Sequence, residues 1–316
     1  MQRYLVKRLV GAVPLLFFIT VISFAIIHLA PGGPAEIYLG TSANPESVAQ
    51  INHALGLDQP IYLQYVKWMF ALLHGNFGTS FTTGQPVIQD ILQALPVTLY
   101  LVGSAFILGW LIGIAVGVAE ALKPYTRLDY LLTVVSFVLI SIPVFYLGLL
   151  LILFFTVYLG WLPSIGMVTQ GAPFSFLDLA RHMVMPVAAL TAVEVGFRAR
   201  FVRASMLEAL SEDFIRTARA KGLTGTVVVY KHALRNALLP LVTLFGLALP
   251  ALFGGSVLIE NVFSLPGIGR LQVSAVFARD YPTVMAVNTI AAVLVVVGNL
   301  LADLMYGWVD PRIRYS

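Results

Sequence analysis

The stretch EALSEDFIRTARAKGL, residues 208–223, sets Glu208, Glu212, Asp213, Arg216, Arg219 and Lys221 in one helix-forming segment between long apolar runs. Arg200 and Arg203 stand just before it. In a chain that is 59% hydrophobic and 11% charged, such a concentration has to face water. It lies where a membrane protein offers a partner something to grip.

The composition sets the class. Soluble domains carry about 25% charged residues, so 11% places this chain in a bilayer. A spanning helix needs about 20 apolar residues, and six runs qualify: about 9–30, 97–122, 130–159, 183–203, 238–259 and 284–308. The fourth is the weakest, because Glu194 and Arg198 interrupt it. Basic residues collect on the cytoplasmic side of membrane proteins. With six spans, all 19 Lys and Arg except Lys67, Arg181, Arg270 and Arg279 share one side, which holds both termini and the 208–223 segment. Omitting the fourth span would put the most basic loop outside. The expected fold is an all-α membrane protein of six transmembrane helices with cytoplasmic termini. The net charge of +4 reads as a topology signal rather than a nucleic-acid groove.

The organisation follows. Residues 1–30 form the first helix, retained because its apolar run exceeds a signal peptide's 7–15 residues. Residues 31–96 form an extracytoplasmic segment lying on the bilayer, with Tyr62, Tyr65 and Trp68 suited to the interface. Within it, NPES (44–47) starts a helix and Gly56 stops it. Residues 97–308 form a core of five spans that includes the charged segment, and 309–316 a cytoplasmic tail.

Catalytic and cofactor motifs are missing. There is no GxxxxGK[ST] phosphate loop, and GIGR (267–270) lacks its lysine and strand context. No HExxH, GxSxG elbow or metal-ligand spacing occurs, and with no cysteine there is no thiolate site. The histidines at 28, 53, 74, 182 and 232 are scattered. Glu194 with Arg198 one turn later reads as a local ion pair before it reads as a cargo ligand. Asp303, one turn beyond Asn299, reads as interhelical hydrogen bonding. Gly109, Gly113 and Gly117 form a small-residue ridge for another helix of this chain or of a partner. In the charged segment, Leu210, Phe214, Ala218 and Lys221 fall on one face of a helix, and Gly222 ends it. The acids at 208, 212 and 213 would be repelled by anionic lipid, which favours a protein partner.

The motifs SEDFIRTARAKGL (211–223), KHALRNALLP (231–240) and GGSVLIENVFSLPGIGRL (254–271) resemble the permease subunits of ABC importers. The group is the first membrane subunit of dipeptide, oligopeptide and nickel systems. ARDYP (278–282), DPRIR (310–314), LGLDQPIYLQY (55–65), GNFGTSF (75–81) and QPV (85–87) fit it as well. The resemblance implies a type I importer fold and no enzymatic activity in this chain. It also implies half of a pore in the inner membrane of a prokaryote, paired with a second permease. Two cytoplasmic ATPases hold ATP and Mg, and a substrate-binding protein docks outside. The family's loop motif aligns as Arg216-Thr217-Ala218, three residues, then Gly222, with Arg and Thr where the general pattern has Glu and Ala. The coupling contact is thereby assigned to Glu208, Asp213, Phe214, Arg216, Thr217, Ala218, Arg219, Ala220, Lys221 and Gly222. Binding-protein docking falls to Glu260, Arg270, Arg279 and Asp280. The implied cargo is a short peptide, with nickel or glutathione as alternatives. The rival from another class is an ion-coupled secondary transporter, which would need more buried charge than these spans carry.

Overall fold

The computed structural model describes residues 2–29, 32–40, 44–238 and 256–309, and among them it is helical apart from a single β-bridge between Thr79 and Pro86. Helix α1 (Gln2–Leu29) contains the first apolar run. Three short helices follow: α2 (Pro34–Leu39), α3 (Pro45–Leu55) and α4 (Ile61–Leu73). The start of α3 is as expected: Asn44 Oδ1 accepts from the Ser47 amide at 2.8 Å, Pro45 opens the helix, and Gly56 closes it with φ +69°.

Helix α5 (Val87–Leu122) begins ten residues before the expected 97, running through Pro96. The third expected span is broken. Helix α6 (Arg127–Ser141) and helix α7 (Val144–Leu151), which continues as the π-helix Ile152–Tyr158, meet at an angle of 102°. The cause is local: Pro143 cannot donate a backbone hydrogen bond and drives Ile142 into extended dihedrals. Helix α8 (Phe176–Ser211) outruns the expected 183–203 at both ends. The fifth expected span falls largely on 239–255, outside the described residues, as do Pro240, Gly246 and Pro250. After it come α12 (Val257–Val262), α13 (Ile268–Phe277) and α14 (Tyr281–Val309). Four described helices are long and apolar enough to cross a membrane, five if α6 and α7 make one bent span.

The chain divides into two compact units. One joins residues 1–97 to 266–297. Its interior includes Val87 and Ile91 of α5 against Ala286 and Val287 of α14, with Phe77 on their edge. A polar thread crosses it as well, from Gln272 to Asn288 (3.1 Å) and on to Ser23 of α1 (3.4 Å). The other unit contains residues 98–265. There the glycine ridge of α5 lies against α8 of the same chain. A Cβ on Gly109, Gly113 or Gly117 would come within 2.6, 2.7 or 2.5 Å of Glu194, Arg198 or Ala199. The backbones approach that closely only because these positions lack side chains. Gly196 does the same for α8 against Ser136 and Ile140 of α6.

Candidate functional site

The charged segment is two helices, not one. Helix α8 ends at Ser211, whose hydroxyl donates to the Glu208 carbonyl at 2.7 Å. Glu212 then turns out of the helix with φ −72° and ψ 152°, and α9 (Asp213–Ala220) starts after it. Asp213 in its first turn and Arg219 in its last suit the helix dipole. This break resets the helical phase, so the expected face of Leu210, Phe214, Ala218 and Lys221 does not form. Ile215 and Ala218 are the buried pair, at 0% and 5% exposure, whereas Phe214 is exposed. They enter an apolar cluster with Val118 and Ala121 of α5, Val202 and Met206 of α8, and Val228 and Ala233 beyond. The residues after α9 run from α10 (Gly225–Val227) through a π-helical stretch, Val228–Ala233, to α11 (Leu234–Ala237).

The opposite surface of α9 carries Asp213, Phe214, Arg216, Thr217, Arg219 and Ala220, followed by Lys221 and Gly222, all exposed. Arg216 pairs with Asp213 at 3.1 Å, but both are open to solvent and the pair contributes little. Gly222 has φ +76°, and a Cβ there would meet nothing within 4 Å. Its role is conformational: the left-handed residue lets its amide bond the Arg219 carbonyl at 2.9 Å and ends the helix. Glu208 is exposed on the last turn of α8.

The stem of this site is braced by residues the sequence reasoning passed over. Arg203 of α8 grips the buried Asp129 of α6 with two bonds of 2.8 Å, from Nε and Nη2. Asp129 also accepts from the Tyr125 amide at 2.8 Å. Buried Glu120 stands beside them, sharing Thr133 with Asp129 at 3.4 Å. The only sequence signal was Thr126 three residues before Asp129, a helix start. Further along α8, Glu194 pairs with Arg198 as expected, and the guanidinium lies over Trp110 at 4.7 Å and Phe106 at 5.4 Å.

Two of the four residues expected to dock a partner are not on the surface. Glu260 has 0% exposure; its Oε1 accepts from Thr98 at 2.8 Å and from Ser256 at 2.6 Å. Asp280 has 1% exposure and holds together two motifs far apart in sequence. It accepts from the Ser80 hydroxyl at 2.5 Å, the Phe81 amide at 3.1 Å and the Thr283 hydroxyl at 2.8 Å. Acids this deep are there to satisfy donors, not to meet a protein. Arg279 takes a left-handed φ of +56° just before it. Arg270 lines a cleft of about 410 Å³ with Thr83, Asp90 and Gln93. Among the described residues no group of three or more His, Asp or Glu converges as metal ligands would.

Residues 105–315 match the family described as binding-protein-dependent transport system inner membrane component, and residues 1–102 match its N-terminal membrane-component family. The chain belongs to this family. It is a membrane permease component of an ABC importer and not an enzyme. Over its full length it is 43% identical to all of the oligopeptide transport system permease protein AppB of Bacillus subtilis. It is likewise 40% identical to the glutathione permease GsiC of Salmonella paratyphi A, each chain covered completely. The di/tripeptide permease DppB of Pseudomonas aeruginosa is 39% identical, again over both whole chains. Among solved structures, the inward-facing MetNI methionine transporter aligns with TM-score 0.58 and 24% identity, over 71% of this chain and 98% of that one. An amino acid ABC transporter aligns at 0.54 and 17%, over 69% and 94%. At such identities the likeness is one of fold.

Proposed function

We propose that this permease forms half of a translocation pathway for short peptides. A binding protein delivers the peptides on the outer side, and ATP hydrolysed by two partner subunits drives their passage. The peptide cargo is supported by the names of the relatives, which carry oligopeptides, di- and tripeptides, or glutathione, itself a small peptide. In this reading the chain has six spans with both termini in the cytoplasm, and a second homologous permease completes the pore. The same reading divides the chain into a first helix to residue 30, an outer segment over 31–96, a five-span core over 97–308 and a tail from 309.

The observation that carries the mechanism is the join at Glu212 between a 36-residue helix and a short charged one. Helix α9 is the coupling helix. Ile215 and Ala218 hold it to its own bundle, while Asp213, Phe214, Arg216, Thr217, Arg219, Ala220 and Lys221 meet the ATPase and Gly222 sets its end. Glu208 stands at the edge of that contact. Closure of the ATPase pair pushes α9, and α8 carries the push into the membrane as a rigid-body motion. Outside, Arg270 and Arg279 are the docking residues that remain once Glu260 and Asp280 are assigned to the interior.

The test is a tagged permease purified from native membranes. It is expected to bring down ATP-binding subunits, and Arg219→Glu with Lys221→Glu is expected to release them while membrane insertion stays normal. Uptake of labelled dipeptides should fall with that release. A preparation without ATP-binding subunits, or a double variant that transports normally, rules the coupling assignment out.

A further inference from the structure

Helix α4, within the segment placed outside the membrane, carries a wholly apolar stripe. Tyr62, Val66, Phe70 and Leu73 recur at helical spacing on one side, and Val66, Phe70 and Leu73 are 58%, 65% and 77% exposed. The polar groups of α4 turn away from that stripe. Gln64 donates to the carbonyls of Leu57 (3.1 Å) and Gln59 (2.7 Å), and Lys67 Nζ donates to Gln59 Oε1 at 2.6 Å. Water would leave this arrangement with a large uncovered apolar patch.

The depth of α4 along α1 says what covers the stripe. The Tyr65 hydroxyl is 2.9 Å from Thr20 Oγ1, and its ring packs edge-on against Phe24 at 5.3 Å and Phe17 at 6.4 Å. Thr20 lies about 13 Å of helical rise below Leu29, near the middle of an apolar run that is 20 residues long. Four residues beyond the end of α4, Phe77 packs against the cluster of Val87, Ile91, Ala286 and Val287, the last two about 8 Å below the start of α14. Tyr65 within α4 and Phe77 after it are therefore fastened at levels inside the hydrocarbon layer. We propose that α4 is immersed in the outer leaflet, with Tyr62, Val66, Phe70 and Leu73 against acyl chains. Lys67 turns its ammonium to Gln59 Oε1 and so keeps the charge off the stripe. The proposal rests on α1 spanning the bilayer with residues 31–96 outside.

The chain contains no cysteine, so each introduced cysteine is the only one it carries, and it is assembled with partner subunits from which cysteine has been removed. Nitroxide is attached to Val66→Cys, Phe70→Cys, Phe18→Cys and Glu46→Cys in the transporter purified with its partners. Each is reconstituted in phosphatidylcholine–phosphatidylglycerol vesicles. Collision rates with oxygen, which prefers lipid, and with the polar reagent NiEDDA are measured at each site. Residues 66 and 70 are expected to match 18, with high oxygen and NiEDDA collision several-fold below that at 46. High NiEDDA collision at 66 and 70 places α4 in water and overturns the proposal. Low collision with both reagents means a protein partner covers the stripe and overturns it equally. A water-like profile at 18 itself overturns the spanning placement of α1, and the proposal with it.

Discussion

Gly117→Ala separates close helix packing from mere tolerance of small residues. A Cβ at 117 would lie 2.5 Å from the Ala199 carbonyl oxygen, 2.6 Å from Val202 Cβ and 2.9 Å from Val202 Cγ1. Ordinary contact begins at 3.4 Å, so the new methyl intrudes by about 1 Å. The obstructing atom is backbone, and no rotamer change relieves it; α5 and α8 must move apart. Overpacking of this kind costs about 1–3 kcal/mol, and the shifted helices lose the flanking contacts at 109 and 113 as well. A value near 2 kcal/mol corresponds to roughly a thirty-fold change in the folding equilibrium. Gly103→Ala is the control on the same helix, since a Cβ there meets nothing within 4 Å. It should be neutral or stabilise by up to about 1 kcal/mol, because alanine is the better helix former. Denaturation of the purified permease in mixed SDS micelles reads both. Equal stability of the two variants refutes the packing argument.

Four further outcomes follow from named contacts. Ala218→Leu should lower the yield of folded permease by overpacking the α9 seat at a cost of about 1–3 kcal/mol, whereas Arg219→Ala should leave yield unchanged; detergent-solubilised fluorescence of a fusion compares them. Asp280→Ala leaves the Ser80 and Thr283 hydroxyls and the Phe81 amide without their acceptor, an expected loss of about 2–3 kcal/mol seen as faster proteolysis of loop 75–84. Arg203→Met strands the Asp129 carboxylate in the interior and should cost about 3–5 kcal/mol, with Asp129→Asn in the same chain recovering part of it in a double-mutant cycle.

The fourth concerns pH. The hydrogen bond from His53 to Asp58, 2.7 Å long, raises the imidazole above its ordinary 6.5 and lowers the carboxyl below its ordinary 3.8. The contribution of the histidine is complete below pH 6.5 and fades as pH rises through its raised value; that of the acid is complete above pH 3.8 and fades as pH falls through its lowered value. Protection of the amides at 53–58, taken relative to their intrinsic exchange rates, should therefore be greatest between those limits, and His53→Ala should flatten the profile.

Much of this was legible because it depends on runs and spacing. Apolar length located α1, α5, α8 and α14, and the Asn44-Pro45 start and Gly56 stop were read to the residue. The Gly109, Gly113 and Gly117 ridge was legible as a packing surface, though its partner in α8 was not, since spacing on one helix cannot name the other. The charged segment was read as one helix and so with the wrong set of residues on one face. A helical phase carries through a sequence only while the helix is unbroken, and Glu212 breaks it without proline or glycine. The buried roles of Glu260 and Asp280 were hidden for a related reason. One donor to each, Thr98 and Ser80, lies far away in sequence, and a lone acid looks the same whether it faces solvent or satisfies a hydroxyl.

The glycine ridge also limits how the machine moves. Two rods of 36 residues, each about 54 Å long, meet over two turns where α5 presents bare backbone to the first side-chain carbons and backbone of α8. Such a contact has no room to slide, so α5 and α8 must tilt together as a single beam. A tilt of about 10° about its middle would swing either end by about 5 Å. The parting of surfaces that opens a passage then has to occur elsewhere, along a face where no glycines interlock.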